Sequence, residues 1–266
     1  EMFNTVGVDA TRLQFCVNEP GDQKRFSLNS VNQKVMPFLN ILWNCYQYSN
    51  GFKSTNKPKL QIEDYWIISK TNNLINNITE ELEKHNYHKC LDLFIEFVNE
   101  DLSRTYIKLI RDREDDKNIG YIFNYIFSRL ARLLGPFAPY ISDYLYKNIS
   151  KNSVHLNEWP LAEKKRINND IESNILIAKE IIQGALNERN NKQIGVRWPL
   201  SKLMVYTEDN SIVKAIKQTS SLIQTQVNIK EIKIEKERAQ NKFRLELDTQ
   251  LTHELEQEVF ARELPR

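Results

Sequence analysis

Within "DLSRTYIKLIRDR", Arg104, Lys108 and Arg111 follow one another at spacings of four and three residues, and Arg113 continues the charge. On a helix these spacings put the first three cations on one face. Leu102, Tyr106, Leu109 and Ile110 supply apolar surface around them. Such a row suits a phosphate backbone, where positive charge positions a nucleic acid without reading its bases. It suits equally a solvated helix face neutralised by Asp101, Asp112 and Glu114. The loop "KSTNKPK" adds Lys53, Lys57 and Lys59. Arg129 and Arg132 either extend the field or pair with acids across neighbouring helices.

No pattern points to catalysis. The sequence has no glycine-rich phosphate loop, no H-x-x-x-H on a helix and no nucleophile signature. His85 and His88 flank a helix junction, where capping or exposure explains them. His155 reads as a structural hydrogen-bonding residue beside Trp159, and His253 as an exposed residue of a charged helix. The neighbouring acids Glu80 and Glu81 do not face each other on a helix, and Asp115 with Asp116 is a solvated loop pair. Cys16, Cys45 and Cys90 are too far apart in sequence to suggest a disulfide framework or a zinc knuckle, and a reducing, intracellular setting is expected. We therefore expect no catalytic, cofactor-binding or metal-ligating residue here. A net charge of +2 over 266 residues does not diagnose a polyanion partner; only its local distribution can. Trp43, Trp66, Trp159 and Trp198 lie in apolar contexts and read as packing anchors. Stacking on unpaired RNA bases would require an exposed ring.

The elements that would carry these residues are mostly helical. Apolar residues recur at helical spacing over 1–17, from Leu28 to Tyr48 and from Ile62 to His85. They do so again from Tyr87 to Arg111, from Ile119 to Leu134 and from Ile141 to Ile149. "GPFAPY" breaks the run between the last two. "SVHLNEWP" reads as an extended strap, and another helix spans Asp170 to Lys192. Beyond Gly195 the pattern changes: "KLMVY", "VNIKEIKI" and "KFRLELD" read as strands, with a helix over Ser211 to Thr219 capped near Ser211. The fold class is mainly α, a helical bundle over 1–194 followed by a small α/β module over 195–266. In "GVRWPLSKLMVY", Pro199 sets an extended start to the module and Trp198 is expected to pack on the preceding helices. Arg197 is a local ion-pair partner or an RNA contact. No apolar run approaches the ~20 residues needed to cross a bilayer. The chain opens and closes in mid-pattern, so it is expected to be part of a longer protein.

An ordered series of segments resembles the C-terminal region of isoleucyl-tRNA synthetases, class I enzymes, of the archaeal or eukaryotic-cytosolic type. "GVDATRLQF" is similar to the family's "GADALR". "FLNILWNCYQYSNGF" matches a family helix with Leu42, Trp43, Asn44 and Tyr46. "DYWIISKTNNLI" resembles "DRWILSRLN", with Tyr65 where arginine is usual. "FIEFVNEDLSRTYIKLIRDR" keeps Tyr106, Arg111 and Arg113, with Thr105 in place of tryptophan. "LLGPFAPYISDYLY", the strap "SVHLNEWP" and the joint at Arg197, Trp198, Pro199 and Leu200 follow in family order. In the last segment, "LDTQLTHELEQEVFARELPR", His253 replaces proline and Val259 replaces glycine.

The resemblance implies an anticodon-binding helical bundle with the small α/β module behind it. Its implied partner is isoleucine tRNA, and its implied tRNA-binding residues are Arg104, Lys108, Arg111, Arg113, Lys53, Lys57 and Arg197. The whole enzyme would use ATP to activate isoleucine and would carry zinc in other regions. A cytoplasmic monomer that binds neither membrane nor DNA is implied as well. The same region of a valyl- or leucyl-tRNA synthetase, or a non-enzymatic helical interaction scaffold, are the alternatives.

Overall fold

Apolar stripes at helical period and a few well-placed caps account for most of the elements in the computed structural model, which describes residues 2–19, 21, 27–55, 58–113, 116–237 and 242–249. The chain divides into two compact units, Glu1–Asn168 and Asn169–Arg266.

The first unit is helical. Helices α1 (Met2–Val6) and α2 (Val8–Phe15) are separated by Gly7, whose φ of 84° is open to glycine and strained for other residues. They replace the single helix expected over 1–17. Helix α3 (Leu28–Ser30) runs through a π-helical stretch, Val31–Val35, into α4 (Met36–Ser49). Helix α5 spans Ile62–Glu83, and the Gln61 N–H donates to Asp64 Oδ2 at its start (2.9 Å). Helix α6 (Tyr87–Glu96) continues as an eleven-residue π-helix, Phe97–Ile107, and closes in a 3₁₀ turn at Arg111–Arg113. Helices α7 (Lys117–Leu134) and α8 (Pro139–Ser150) complete the group. The core joins Phe38 and Leu42 of α4, Ile67 and Ile75 of α5, Phe94, Leu102 and Tyr106, and Phe123, Phe127 and Leu130 of α7.

Two segments far apart in sequence meet at the α7–α8 corner. The Asp9 carboxylate accepts the N–H groups of Tyr140 (3.2 Å) and Ile141 (2.7 Å), capping α8 from α2. Arg12 donates to the carbonyls of Pro136 (2.7 Å) and Phe137 (3.2 Å). The strap over 153–168 is stitched along α5: Trp159 Nε1 donates to Thr79 Oγ1, the Glu163 N–H to Asn72 Oδ1 and the Asn168 N–H to Ser69 Oγ. It is not wholly extended, because Val154–Leu156 and Lys164–Arg166 form 3₁₀ turns.

The second unit holds α9 (Asn169–Asn191), β1 (Leu200–Tyr206), α10 (Asn210–Val227), β2 (Ile229–Glu235) and β3 (Arg244–Leu247). Strand order is β2-β1-β3; β1 pairs parallel with β2 (Leu203 opposite Ile232) and antiparallel with β3 (Leu203 opposite Leu247). Helix α10 is the crossover that a parallel pair requires. It is longer than expected, and Asp209, not Ser211, caps it by accepting the Ser211 N–H (2.7 Å). Composition groups α9 with the bundle, but its buried Ala178, Ile181, Ile182 and Ala185 join Leu200, Leu203, Val205, Ile216 and Leu247 in one core. A Cβ at Gly184 would come within 2.7 Å of Leu245 Cδ1, so α9 lies close on β3. The charged C-terminal helix expected around His253 and Val259 lies outside the described residues.

Candidate nucleic-acid interface

At one end of the first unit the α5 N-terminus, the α7 N-terminus and the Arg111–Arg113 turn converge on one side chain, Arg113. Its guanidinium lies against Glu63 and bonds Asp64 Oδ2 (2.9 Å) and Asp116 Oδ2 (2.8 Å). Tyr106 donates its hydroxyl to Asp64 Oδ1 (2.9 Å). Glu63 and Asp64 are buried, with side chains 3% and 0% exposed. Burial pulls the Arg113 pKa down, but hydrogen bonds and charge from Asp64, Asp116 and Glu63 outweigh it and raise it further, holding the guanidinium charged. Burial raises the Glu63 carboxyl more than Arg113 lowers it. For this coupled pair the direction that stands is the charged arginine, because three carboxylates surround it. Of the implied tRNA-binding residues, Arg113 is thus committed to the interior, tying together segments about fifty residues apart.

Cations with free heads surround this node. The Lys59 N–H donates to Asn118 Oδ1 (2.8 Å), and the Lys53 carbonyl lies where a Cβ at Gly120 would sit 2.5 Å away. Lys53 and Lys59, at the two ends of the lysine loop, therefore lie on the first turn of α7. Lys53, Lys59, Lys108, Arg111 and Lys117 are all exposed, and among the described residues none of them forms an ion pair with a carboxylate. Lys57, Glu114 and Asp115 lie outside the described residues.

The row carrying Arg104 and Lys108 has a second rationale. Exposed positions recur every four residues along α6 and its π-helical extension: Asp92, Glu96, Glu100, Arg104, Lys108. Acids occupy the N-terminal half and bases the C-terminal half, as the helix dipole favours. Arg104 bonds Glu100 (2.6 Å), both well exposed, while Asp101 pairs with Lys70 instead of neutralising the row (3.2 Å). Lys108 and Arg111 are the cations of the row that form no ion pair with a described residue. Arg129 pairs with Glu163 (2.6 Å) and lies 3.4 Å over the Tyr125 ring, and Arg132 donates to the Ser128 carbonyl.

In the second unit the joint is held by a residue the sequence reading passed over. Arg189 of α9 is 1% exposed. It donates to the carbonyls of Gly195 (3.1 Å), Trp198 (3.0 Å) and Asn228 (2.8 Å). Asn228, left-handed at φ 54°, returns its amide to the carbonyls of Val196 and Arg197. Its only sequence signal was a cation near the end of an otherwise apolar helix stripe. Pro199 is buried as expected. Trp198 is not packed away: it is 41% exposed, while its carbonyl is held by the buried Arg189. Arg197 is exposed and forms no ion pair with a described residue.

Among the other anchors, Trp66 is 4% exposed and Trp159 half-buried, whereas Trp43 is 37% exposed with its ring against Tyr46 and Tyr144. His85 is exposed at φ 59°, closing α5, and His155 is exposed. His88 is half-buried, 3.4 Å from Glu19. Among the described residues no three His, Cys, Asp or Glu side chains are grouped to hold a metal, and no helix is long and apolar enough to cross a membrane.

The first unit thus presents several exposed cations at one end. Residues 64–205 match the family described as the anticodon-binding domain of tRNA ligase, over more than half of the chain, and the chain belongs to that family. Nearly the whole chain is similar to particular members. The isoleucine–tRNA ligase of Thermococcus kodakarensis is 33% identical over 263 residues, covering 89% of this chain and 25% of the relative. That of Pyrococcus abyssi is 31% identical over 257 residues (88% and 24%), and that of Archaeoglobus fulgidus 29% over 253 (88% and 25%). The chain spans about a quarter of the length of these relatives.

Proposed function

We propose that this chain docks the anticodon arm of isoleucine tRNA within an isoleucine–tRNA ligase. The observation that carries the reading is similarity to proteins of that name across 87–89% of the chain, in both units. Lys53, Lys59, Lys108, Arg111 and Lys117 contact the RNA backbone, with Lys57, outside the described residues, as a further candidate and Arg197 contributing from the second unit. Arg104 shares its charge with Glu100, and Arg113 positions the others. Such contacts set register and orientation and leave base selection to other groups. In the whole enzyme ATP activates isoleucine and the held tRNA receives it; zinc belongs to regions outside this chain. The enzyme works as a cytoplasmic monomer and binds neither DNA nor membrane. Discrimination of isoleucine from valine exceeds what one apolar pocket supplies and needs a second sieve elsewhere in the enzyme.

The test is titration of the protein with isoleucine tRNA and valine tRNA at two salt concentrations. Preference for isoleucine tRNA, weakening with salt, is expected. Lys108→Gln and Arg111→Gln should each reduce the salt slope by about 1. Tighter binding of valine tRNA would overturn the isoleucine assignment, and an unchanged slope in both variants would remove the cations from the interface.

A further inference from the structure

One tryptophan is placed where its ring can still take a partner. Trp66 is buried, Trp159 is tied to Thr79, and Trp43 already lies against two tyrosines. Trp198 is 41% exposed and has no ring partner among the described residues. Beside it opens a cavity of about 310 Å³ lined by Gln193, Ile194, Gly195, Trp198, Leu200 and Thr249. That is the small end of the ~300–1,000 Å³ range of ligand sites, with room for one planar ring system but not for a partner's helix. Ile194, Leu200 and the indole make apolar walls; the exposed Gln193 and Thr249 bring an amide and a hydroxyl to the rim.

The platform is rigid. Arg189 grips the carbonyls of Gly195 and Trp198 from below, Asn228 grips those of Val196 and Arg197, and Pro199 restrains the residue before it. Arg197, next in the chain, is exposed and unpaired among the described residues, and so complements an anion beside the stacked ring. An apolar slot, an exposed tryptophan and an adjacent cation match an unpaired nucleotide, whose base stacks and whose phosphate needs a counter-charge.

We propose that this pocket takes one unpaired RNA base, stacked on Trp198, with the neighbouring phosphate on Arg197. The proposal rests on the tRNA-docking reading and adds a base-contacting site to it. The first test is photocrosslinking of the unaltered protein to isoleucine tRNA carrying 4-thiouridine, with the crosslinked residue mapped. A crosslink in the 193–200 segment is expected, and crosslinks confined to the first unit would overturn the proposal. In parallel, Trp198→Phe should keep affinity within a few-fold, while Trp198→Leu should weaken it roughly ten- to hundredfold with the salt slope unchanged. Arg197→Gln should lower the slope by about 1. Equal binding by the wild type and both Trp198 variants would remove the stacked base while leaving tRNA docking intact. No binding of any tRNA by the wild type would remove the docking reading and the pocket with it. Melting curves accompany each variant; if Trp198→Leu does not fold, the crosslink and Trp198→Phe decide.

Discussion

Replacing Arg113 by methionine keeps an unbranched apolar stem and removes the guanidinium with its charge. The three carboxylates around it remain, and two of them, on Glu63 and Asp64, are at most 3% exposed. Removing one partner of a buried pair strands the other in low dielectric, at a cost of about 3–5 kcal/mol. With about 2–4 °C of melting temperature per kcal/mol for a unit of this size, the first unit should melt about 6–20 °C lower. Calorimetry at neutral pH measures this directly. Arg104→Met serves as the control, since its exposed pair with Glu100 should contribute less than about 1 kcal/mol.

The deficit should also depend on pH with a definite sign. The Glu63 carboxyl is raised by burial even with Arg113 present, and loses the lowering contribution of Arg113 in the variant. An acid with a raised folded pKa contributes stability below its unfolded value and loses it as pH rises through the folded one. The Arg113→Met deficit should therefore grow from pH 5 to pH 8. A melting change of under about 2 °C, or a loss of tRNA affinity with normal melting, would refute the structural assignment and return Arg113 to the interface.

Arg189→Met should destabilise the second unit by about 1–3 kcal/mol, because the Trp198 carbonyl loses its donor while those of Gly195 and Asn228 keep the N–H groups of Trp198 and Leu200; a melt of that unit measures it. Gly120→Ala would drive a Cβ to 2.5–2.7 Å from the backbone of Lys53 and Ser54, so it should cost about 1–3 kcal/mol and displace the lysine loop. Gly51→Ala, whose Cβ meets Tyr48 O at 3.5 Å, should be far milder in the same melt. Lys147, Ser153 and the Val154 N–H hold the Asp143 carboxyl down at about 2. Its contribution should persist above pH 4 and fade between pH 4 and 2, and an NMR titration of that carboxyl should show the low midpoint.

Much of this fold is legible one segment at a time. Each helix must bury an apolar stripe, and a stripe at period 3.6 is visible without knowing what covers it, so α5, α7 and the strand β1 emerge close to their observed bounds. The order of family-like segments is also local information, and it pointed to the anticodon-binding class before any contact was known. What a segment alone cannot contain is its partner. Arg113 and Arg111 are indistinguishable cations in "IRDR"; only the arrival of Glu63 and Asp64 from α5 makes one a buried strut and leaves the other facing solvent. The π-helical turns of 97–107 share the apolar period of the helix before them and are not marked in the sequence, and α9 belongs with the sheet because its stripe packs with Leu203 and Leu247. Trp198 carries the same lesson: an indole in an apolar sequence reads as core, yet the residue is 41% exposed, and the buried side chain of the joint is Arg189, which holds its carbonyl. Apolar periodicity is written along the chain, whereas charge pairing and exposure depend on which distant side chain reaches a site.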